Sequence, residues 1–144
     1  CLDSNLEIIK FLVKNGGDIQ KPNQVGGTCL INSVQSVEVC EFLLQSGANV
    51  NAQDHSAKTA LHYAVNEKKL ETTKLLLKYG ADPFIEDDWG NDALSIACWN
   101  HASEILEWLL YHVPYTPERL EVFKIQATCY LVHLTCMCIL RPRI

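Results

Sequence analysis

The chain has 144 residues, of which 48% are hydrophobic and 20% charged, and its formal net charge is −5 at pH 7. This composition can form a packed core, and the length fits one compact domain or one stretch of a repeat array. The acidic balance argues against a nucleic-acid partner, because phosphate groups are bound by a basic face. No stretch reaches the roughly 18 uninterrupted apolar residues of a membrane-spanning helix, so no membrane partner is expected.

The seven cysteines are odd in number, and no signal peptide is visible. Cys29, Cys40 and Cys98 fall at apolar positions of helical patterns, where a free cysteine is commonly buried. These features predict reduced core thiols and therefore a cytoplasmic or nuclear protein. Because the chain begins with Cys1 and not with Met, we also expect it to be a fragment.

A sequence repeat runs through most of the chain. Its register marks are a glycine and a leucine that recur in successive copies: Gly16, Gly47 and Gly80, and Leu30, Leu61 and Leu94. In both series the intervals are 31 and then 33 residues, and a period of about 20–50 residues indicates a repeat array. Since both series lose two residues in the same copy, the deletion lies between Leu30 and Gly47. We place it in residues 32–39, where the turn between two helices would be shortened.

Each copy is predicted to form a polar hairpin with a glycine, a short helix, a tight turn and a longer helix. In chain order the copies are a partial, a shortened, a near-consensus and a degenerate unit: residues 1–20, 21–50, 51–83 and 84–113. The first unit opens in the middle of a helix, so further repeats are expected before it. A single unit cannot bury its own apolar face, and stacked units share one core.

The third copy shows the first helix of the repeat most clearly. Thr59 is placed to cap this helix, because its hydroxyl can accept a backbone N–H. Leu61, Ala64 and Val65 have the i, i+3, i+4 spacing of a buried helix face. His62 is predicted to have a structural role, with its ring bonded to backbone at the junction between repeats, and not a catalytic one.

The second helix of that copy lies in "LETTKLLLKYG". Its predicted buried side chains are Leu70, Thr73, Leu75, Leu76 and Leu77. The helix should end at Gly80, which can adopt the left-handed conformation after a helix without a Cβ clash.

The segment "TALHYA" resembles the T-P-L-H-x-A signature of ankyrin repeats, with Ala60 in place of proline. In the fourth copy, "NDALSIAC" keeps the leucine and the alanine but has Asp92 for threonine and Ser95 for histidine. The resemblance covers residues 1–113. It implies an all-α ankyrin-repeat solenoid of about four helix-turn-helix units with short hairpin fingers.

Four blocks resemble the Fem (feminization) family more closely. The blocks "CLDSNLEIIKFLVKNGGDI" and "GGTCLINS" are similar to mid-array ankyrin repeats of that family, and "ANVNAQDHSAKTALHYA" follows in the same register. The block "TPERLEVFKIQAT" is similar to the helix that ends the family's N-terminal array. Leu2 stands where the family has Phe, and the match ends at Thr128.

The C-terminal part of the chain is predicted to consist of two segments, and the first of them ends at Thr128. Residues 114–128 are expected to form a helix that caps the open apolar end of the array, as the terminus of a solenoid requires. Residues 129–144 form an apolar, cysteine-rich tail of undetermined status.

Members of the Fem family are substrate receptors of cullin–RING ubiquitin ligases, and their N-terminal ankyrin array holds the C-terminal residues of a substrate. The resemblance implies a non-catalytic module that binds a protein substrate by its C-terminal tail. Ligase components would bind through regions missing from this chain. The alternative is a generic ankyrin scaffold that binds a folded partner through its concave face. A third interpretation is a truncated product, because four units only just exceed the roughly three that stability needs.

Four residues are predicted to bind a peptide: Asp3, His55, Asp88 and Trp89. The resemblance implies the first two, since Asp3 matches an acidic family position and His55 lies on a finger along the same groove. Asp88 and Trp89 lie in "DPFIEDDWGND", where acids around a tryptophan could attract a basic peptide and stack an arginine. In the alternative interpretation, Asp3 is merely solvated, His55 is a turn residue, and the acidic segment is a solvated hairpin whose Asp87 makes local turn bonds.

No catalytic, metal or cofactor site is predicted, and the chain is expected not to be an enzyme. The sequence has no glycine-rich phosphate loop, nucleophile elbow or H-E-x-x-H motif. Cys136 and Cys138 are separated by a single residue, which is not a zinc-knuckle spacing. His101 and His112 would lie on different helical turns.

Overall fold

The computed structural model describes residues 2–118, 120 and 121, with side chains from residue 6 onward. Within this part the chain forms seven α-helices and no strand, which confirms the predicted all-α solenoid. In chain order they are α1 (Leu2–Lys14), α2 (Cys29–Asn32), α3 (Val37–Gln45), α4 (Ala60–Asn66), α5 (Leu70–Lys78), α6 (Ala93–Trp99) and α7 (Ser103–His112).

The helices pack in two layers. The short helices α2, α4 and α6 stack on one another and form the inner layer, while the longer helices α1, α3, α5 and α7 form the outer layer. Each inner helix also packs on the outer helix that follows it in sequence. One hydrophobic core therefore runs between the layers from repeat to repeat, as expected when no unit can bury its apolar face alone.

The core face of α5 differs in part from the sequence prediction. Leu76 is fully buried, as predicted, but Leu75 and Leu77 are only partly buried. Three consecutive residues span about 200° of a helix, so they cannot all face one core. Thr72 fills the place instead: it is 1% exposed, and its hydroxyl donates a hydrogen bond to the carbonyl of Val34 at 3.0 Å.

The two-residue deletion in the second repeat shortens a helix and not a turn. Helix α2 has four residues, whereas α4 has seven. The turns that follow them are residues 33–36 and 67–69, so the turn of the shorter repeat is not reduced. The predicted location within the repeat is right, but the prediction that the turn was cut is wrong.

Three fingers connect the repeats, and each one is built around the same type of turn. In each finger one side-chain oxygen accepts the backbone N–H groups two and four residues further along the chain, at 2.9–3.0 Å. The accepting residues are Asn23, Asp54 and Asp87. The fingers also bond to one another, because the N–H of His55 donates to Val25 O at 3.1 Å and that of Asp88 to Ser56 O at 3.2 Å.

A glycine permits the close approach of the first two fingers. Gly26 has φ +80°, and a Cβ added there would lie 2.7 Å from the backbone nitrogen of His55. Gly90 occupies the equivalent place in the last finger, at φ +75°, with nothing within 4 Å of such a Cβ. At the same place in the middle finger, Ala57 adopts φ 57°, so the turn itself accepts alanine.

We expect Gly26→Ala to reduce the free energy of unfolding clearly more than the matched variant Gly90→Ala. Gly90→Ala should cost about 1 kcal/mol, the penalty of a side chain in left-handed backbone. Gly26→Ala carries that penalty and must also move the first finger away from His55. Urea unfolding of both variants measures the difference, and equal losses would show that finger contact does not stabilise the array.

The cysteines follow the prediction in two of three described cases. Cys40 and Cys98 are buried free thiols, and burial raises the pKa of Cys40 to about 12. Cys29, predicted to be buried, is instead exposed at the start of α2.

The predicted capping helix is described only at its start. Residues 117, 118, 120 and 121 are helical, and the N–H of Leu120 donates to Thr116 O at 3.1 Å. The rest of residues 114–128, and the whole tail 129–144, lie outside the described residues. In the described part, no helix has the length and apolar character needed to cross a bilayer.

Candidate functional site

The fingers and inner helices of the last two repeats enclose an open groove of about 520 Å³. Its walls include Lys58, Tyr63, Asn66, Trp89, Trp99 and Asn100. We call it the aromatic groove. Two tryptophans stay accessible there, since Trp89 is 67% and Trp99 49% exposed. Exposed tryptophans in a concave surface are typical of protein-binding sites, where large aromatic side chains supply most of the binding energy.

Helix α4 is fixed beside the groove by a capping box. The N–H of Thr59 donates to Nδ1 of His62 at 3.0 Å, so this ring nitrogen accepts. The other ring nitrogen, Nε2, lies 3.2 Å from the carbonyl oxygen of Asn91 and therefore carries the proton. His62 thus joins the third repeat to the finger of the fourth, which confirms its predicted structural role.

Burial holds this histidine in its neutral form. His62 is 2% exposed, and desolvation lowers its pKa below the ordinary value of 6.5, although the Asn91 carbonyl and the nearby Asp87 oppose this shift. A buried neutral imidazole with both nitrogens bonded orients backbone. It has no free nitrogen with which to act as a base or a metal ligand.

In the degenerate fourth repeat, Asp92 and Ser95 stand in the places of Thr59 and His62. Asp92 caps α6, and its Oδ1 accepts the N–H of Ser95 at 2.9 Å and the hydroxyl of the same serine at 2.8 Å. The two departures from the ankyrin signature are therefore complementary. They begin the inner helix at the same position of the repeat.

A lysine lies at the mouth of the aromatic groove. Lys58 Nζ is 4.8 Å from the ring centroid of Trp89 and 5.9 Å from that of Tyr63, which are cation–π distances. The Tyr63 hydroxyl donates to Asp54 Oδ2 at 2.6 Å, and this bond chiefly raises the pKa of Tyr63 to about 12. The tyrosine is thereby fixed on the groove wall as a neutral side chain.

The comparisons with known proteins agree with this architecture. A family model described as ankyrin repeats, in three copies, matches residues 36–118. This chain belongs to the ankyrin-repeat family. As an ankyrin-repeat protein it is a protein-binding module.

Three relatives illustrate how widely this ankyrin array occurs. Alpha-latrotoxin-Lg1a of Latrodectus geometricus is 36% identical over 111 residues, which is 74% of this chain and 8% of the toxin. The "Putative E3 ubiquitin-protein ligase XBAT34" of Arabidopsis thaliana is 32% identical over 116 residues, 77% of this chain and 31% of the relative. The "Putative ankyrin repeat protein L92" of Acanthamoeba polyphaga mimivirus is 41% identical over 81 residues, 54% of this chain and 20% of the relative. The ankyrin chain thus spans less than a third of each of these proteins.

Three of the four predicted peptide-binding residues lie on the last two fingers of the ankyrin array. Trp89 lines the aromatic groove, while His55 and Asp88 are exposed on the adjoining fingers, outside the groove walls. The backbone N–H of His55 is already bonded to the first finger. It is therefore not available to bind a peptide carboxylate.

The fourth predicted residue, Asp3, lies apart from the others. It stands in the first turn of α1, and its side chain is outside the described part of the structure. Helix α1 runs from Asp3 toward the first finger, so about 16 Å of helix separates this position from the fingers.

Three of the five acids in the predicted acidic cluster form hydrogen bonds within their own turn or cap. The segment's five acids are Asp82, Glu86, Asp87, Asp88 and Asp92. Asp82, Asp87 and Asp92 each accept a backbone N–H within their own turn or cap, which confirms the local turn bonds predicted for Asp87. Asp82, Glu86 and Asp88 are exposed, whereas Asp87 and Asp92 are buried. The acidic character of this ankyrin finger toward solvent therefore rests on fewer carboxylates than the sequence suggests.

Several residues of the groove wall were not predicted from the sequence. Tyr63 and Trp99 lie on the first helix of consecutive ankyrin repeats, and both fall outside the buried i, i+3, i+4 face. Asn100 Nδ2 donates to Asn66 Oδ1 at 2.9 Å and links the two repeats. The available signal was the presence of large aromatic residues on the polar side of two short helices.

Across the described residues, no group of three histidine, cysteine or acidic side chains could hold a metal ion. The aromatic groove itself presents aromatic faces, amide groups and one lysine. Such groups can fix a peptide in place by packing and hydrogen bonds.

Proposed function

We propose that this ankyrin array is the substrate-recognition part of a Fem-like receptor of a cullin–RING ubiquitin ligase, and that it binds the C-terminal tail of a substrate protein. The observation that carries the proposal is the aromatic groove, which is open, lined by two exposed tryptophans and supplied with one lysine. The resemblance of four sequence blocks to the Fem family supports the ligase role. An Arabidopsis relative whose name is that of a ubiquitin-protein ligase supports it as well.

The groove offers one partner for each part of a peptide tail. Lys58 can pair with the terminal carboxylate, because an ammonium and a carboxylate form a charge-assisted hydrogen bond. The amide side chains of Asn66 and Asn100 can bond the peptide backbone, and the exposed rings of Trp89 and Trp99 can pack on its side chains. The exposed carboxylate of Asp88 can attract a basic residue of the tail.

The rest of the proposal concerns the whole protein. Ligase components would bind through regions outside this chain, and Asp3 and His55 remain predicted substrate contacts from the family resemblance. A cytoplasmic or nuclear location fits such a receptor.

A ten-residue peptide ending in arginine tests tail capture. Fluorescence anisotropy should show that amidation of the C-terminus weakens binding at least tenfold, since the amide removes the charge that would pair with the lysine. Equal binding of the free and amidated peptides would rule out carboxylate capture.

A matched pair of lysine variants locates the carboxylate. Lys58→Gln should weaken binding of the free-acid peptide and leave the amidated peptide unchanged, so that the two forms bind alike. Lys78→Gln makes the same charge change on the exposed last turn of α5 and should retain the full preference for the free acid. If both variants behave alike, the effect is one of net charge and the assignment to Lys58 is wrong.

The exposure of Trp89 favours a second candidate function. This side chain is 67% exposed on the last finger, and Asp88 beside it is also exposed, so both could contact the folded surface of a partner. Such a scaffold predicts that Trp89→Ala weakens binding of the intact partner, while removal of the partner's last residues has no effect. Tail capture predicts the reverse dependence on those residues.

A further inference from the structure

The one acid in the wall of the aromatic groove is occupied by the turn of its own finger. Among the described residues that line the groove, only Asp87 carries a carboxylate. This side chain is 6% exposed. Its Oδ1 accepts the backbone N–H groups of Trp89 and Asn91 at 3.0 and 2.9 Å and the side-chain N–H of Asn91 at 3.2 Å. Asp87 therefore holds the finger in shape and is not presented to a ligand.

Asp54, which bonds to the groove wall through Tyr63, is occupied in the same way. Its Oδ1 accepts the N–H groups of Ser56 and Lys58 at 2.9 and 3.0 Å, and its Oδ2 accepts the Tyr63 hydroxyl at 2.6 Å. Asp88 is exposed but does not line the groove. A basic side chain placed inside the groove would therefore find no accessible carboxylate among the described wall residues.

The wall also contains a positive charge that would repel such a side chain. Lys58 is the only lysine or arginine among the described residues that line the groove. Its ammonium already lies over the Trp89 ring, 4.8 Å from the centroid. A guanidinium brought to this ring would displace a cation–π contact that the protein makes by itself, and it would lie close to a like charge. An arginine at the end of a bound tail therefore gains little from Trp89.

The second tryptophan belongs to an apolar part of the wall. Ile96 and Trp99 are three residues apart on α6, so they share one face of that helix, and both line the groove. Trp99 remains 49% exposed. Burying a large apolar side chain against such a surface contributes more than an exposed cation–π contact does. This part of the wall therefore favours phenylalanine or leucine over arginine.

We propose that the tail bound in the aromatic groove ends in a large apolar residue, whose side chain packs against Trp99 and Ile96 while its terminal carboxylate pairs with Lys58. This inference rests on the proposed function and names the class of substrate for it. A basic residue of the tail lies upstream of the terminal residue and outside the groove, where Asp88 is exposed.

Four ten-residue peptides test this preference. They share nine glycine and serine residues and end in phenylalanine or in arginine, each as the free acid and as the C-terminal amide. In fluorescence anisotropy the phenylalanine acid should bind about tenfold more tightly than the arginine acid, the scale expected when one large apolar side chain is partly buried.

The amides separate this inference from the proposed function. If the arginine acid binds as tightly as the phenylalanine acid, or more tightly, and amidation still weakens both, the inference is wrong and carboxylate capture stands. If amidation changes the affinity of neither peptide, carboxylate capture is wrong and the inference fails with it.

A matched pair of asparagine variants assigns the preference to the groove wall. Asn66 lines the groove, and its Oδ1 accepts the side-chain N–H of Asn100 at 2.9 Å. Asn66→Asp keeps this acceptor and adds a negative charge to the wall, so the affinity ratio of phenylalanine acid to arginine acid should fall about threefold, as for one exposed ion pair.

Asn49→Asp makes the same charge change outside the groove. Asn49 is exposed, and its side-chain oxygen accepts the N–H of Asn51 at 3.1 Å, a bond that aspartate also makes. The affinity ratio should stay at its parent value in this variant. If the ratio is the same in both variants, the charge of the groove wall does not select the terminal residue and the inference is overturned.

Discussion

Replacing Leu76 by alanine is expected to lower the free energy of unfolding by about 2–5 kcal/mol, the range for a leucine truncated in a closed core. Leu76 is 0% exposed and lies on α5, which packs against α3, α4 and α7. The cavity therefore opens at the junction of three other helices that cannot all move to fill it. Because a small domain is stable by only about 5–15 kcal/mol in total, this one change should consume much of the stability of the array.

The neighbouring Leu77 provides the matched control. It is only partly buried, so the same truncation should cost about 1 kcal/mol or less, in the range of changes that leave no closed cavity. Urea unfolding followed by far-ultraviolet circular dichroism measures both losses. Similar losses for the two leucines would mean that α5 packs in a different rotation from the one described.

Stability is expected to fall as the pH is lowered from about 7 to 5, and His62 is the cause. Its pKa in the folded protein lies below the ordinary 6.5, chiefly through desolvation. The unfolded chain therefore takes up the proton first as the pH falls. Above the pKa of histidine in the unfolded chain, the stabilisation by the neutral ring is fully present. It is lost progressively as the pH falls from that pKa to the lower pKa of the folded protein. The slope in that window is at most about 1.4 kcal/mol per pH unit for one group.

The variant His62→Gln should abolish this slope between pH 5 and 7. It should also lower stability at neutral pH by about 1 kcal/mol, because the capping box and the bond to Asn91 are weakened. His55→Gln removes an exposed imidazole that makes no part of the cap, and the slope should persist in it. The free energy of unfolding of each variant is measured at several pH values. If the slope persists in His62→Gln, groups other than His62 cause it.

Much of the fold follows from local sequence. Thr59 caps a helix and Gly80 ends one because a hydroxyl acceptor and a missing Cβ act within a single turn. The spacing of Leu61, Ala64 and Val65 fixes one face of α4, and all three are buried. Signals of this type depend on the next three or four residues and on nothing else, so they can be read without a structure.

The aromatic groove could be predicted only in part. Trp89 stands out in its acidic segment, but Lys58, Tyr63 and Trp99 become its neighbours only when two repeats stack and align their fingers. The sequence likewise does not show which acids are accessible, because Asp87 and Asp92 turn inward to accept backbone N–H groups.

The sequence by itself determined the repeat, its register, the pairing of a short with a long helix, and the caps that begin and end them. The tertiary structure alone decided that Thr72 is buried while Leu77 is only partly buried, and that Cys29 is exposed. It also decided that the deletion shortens helix α2 and not the turn after it. The physical reason is that helical periodicity fixes which residues share a face. Whether a face is covered depends on a neighbour that comes from a different repeat.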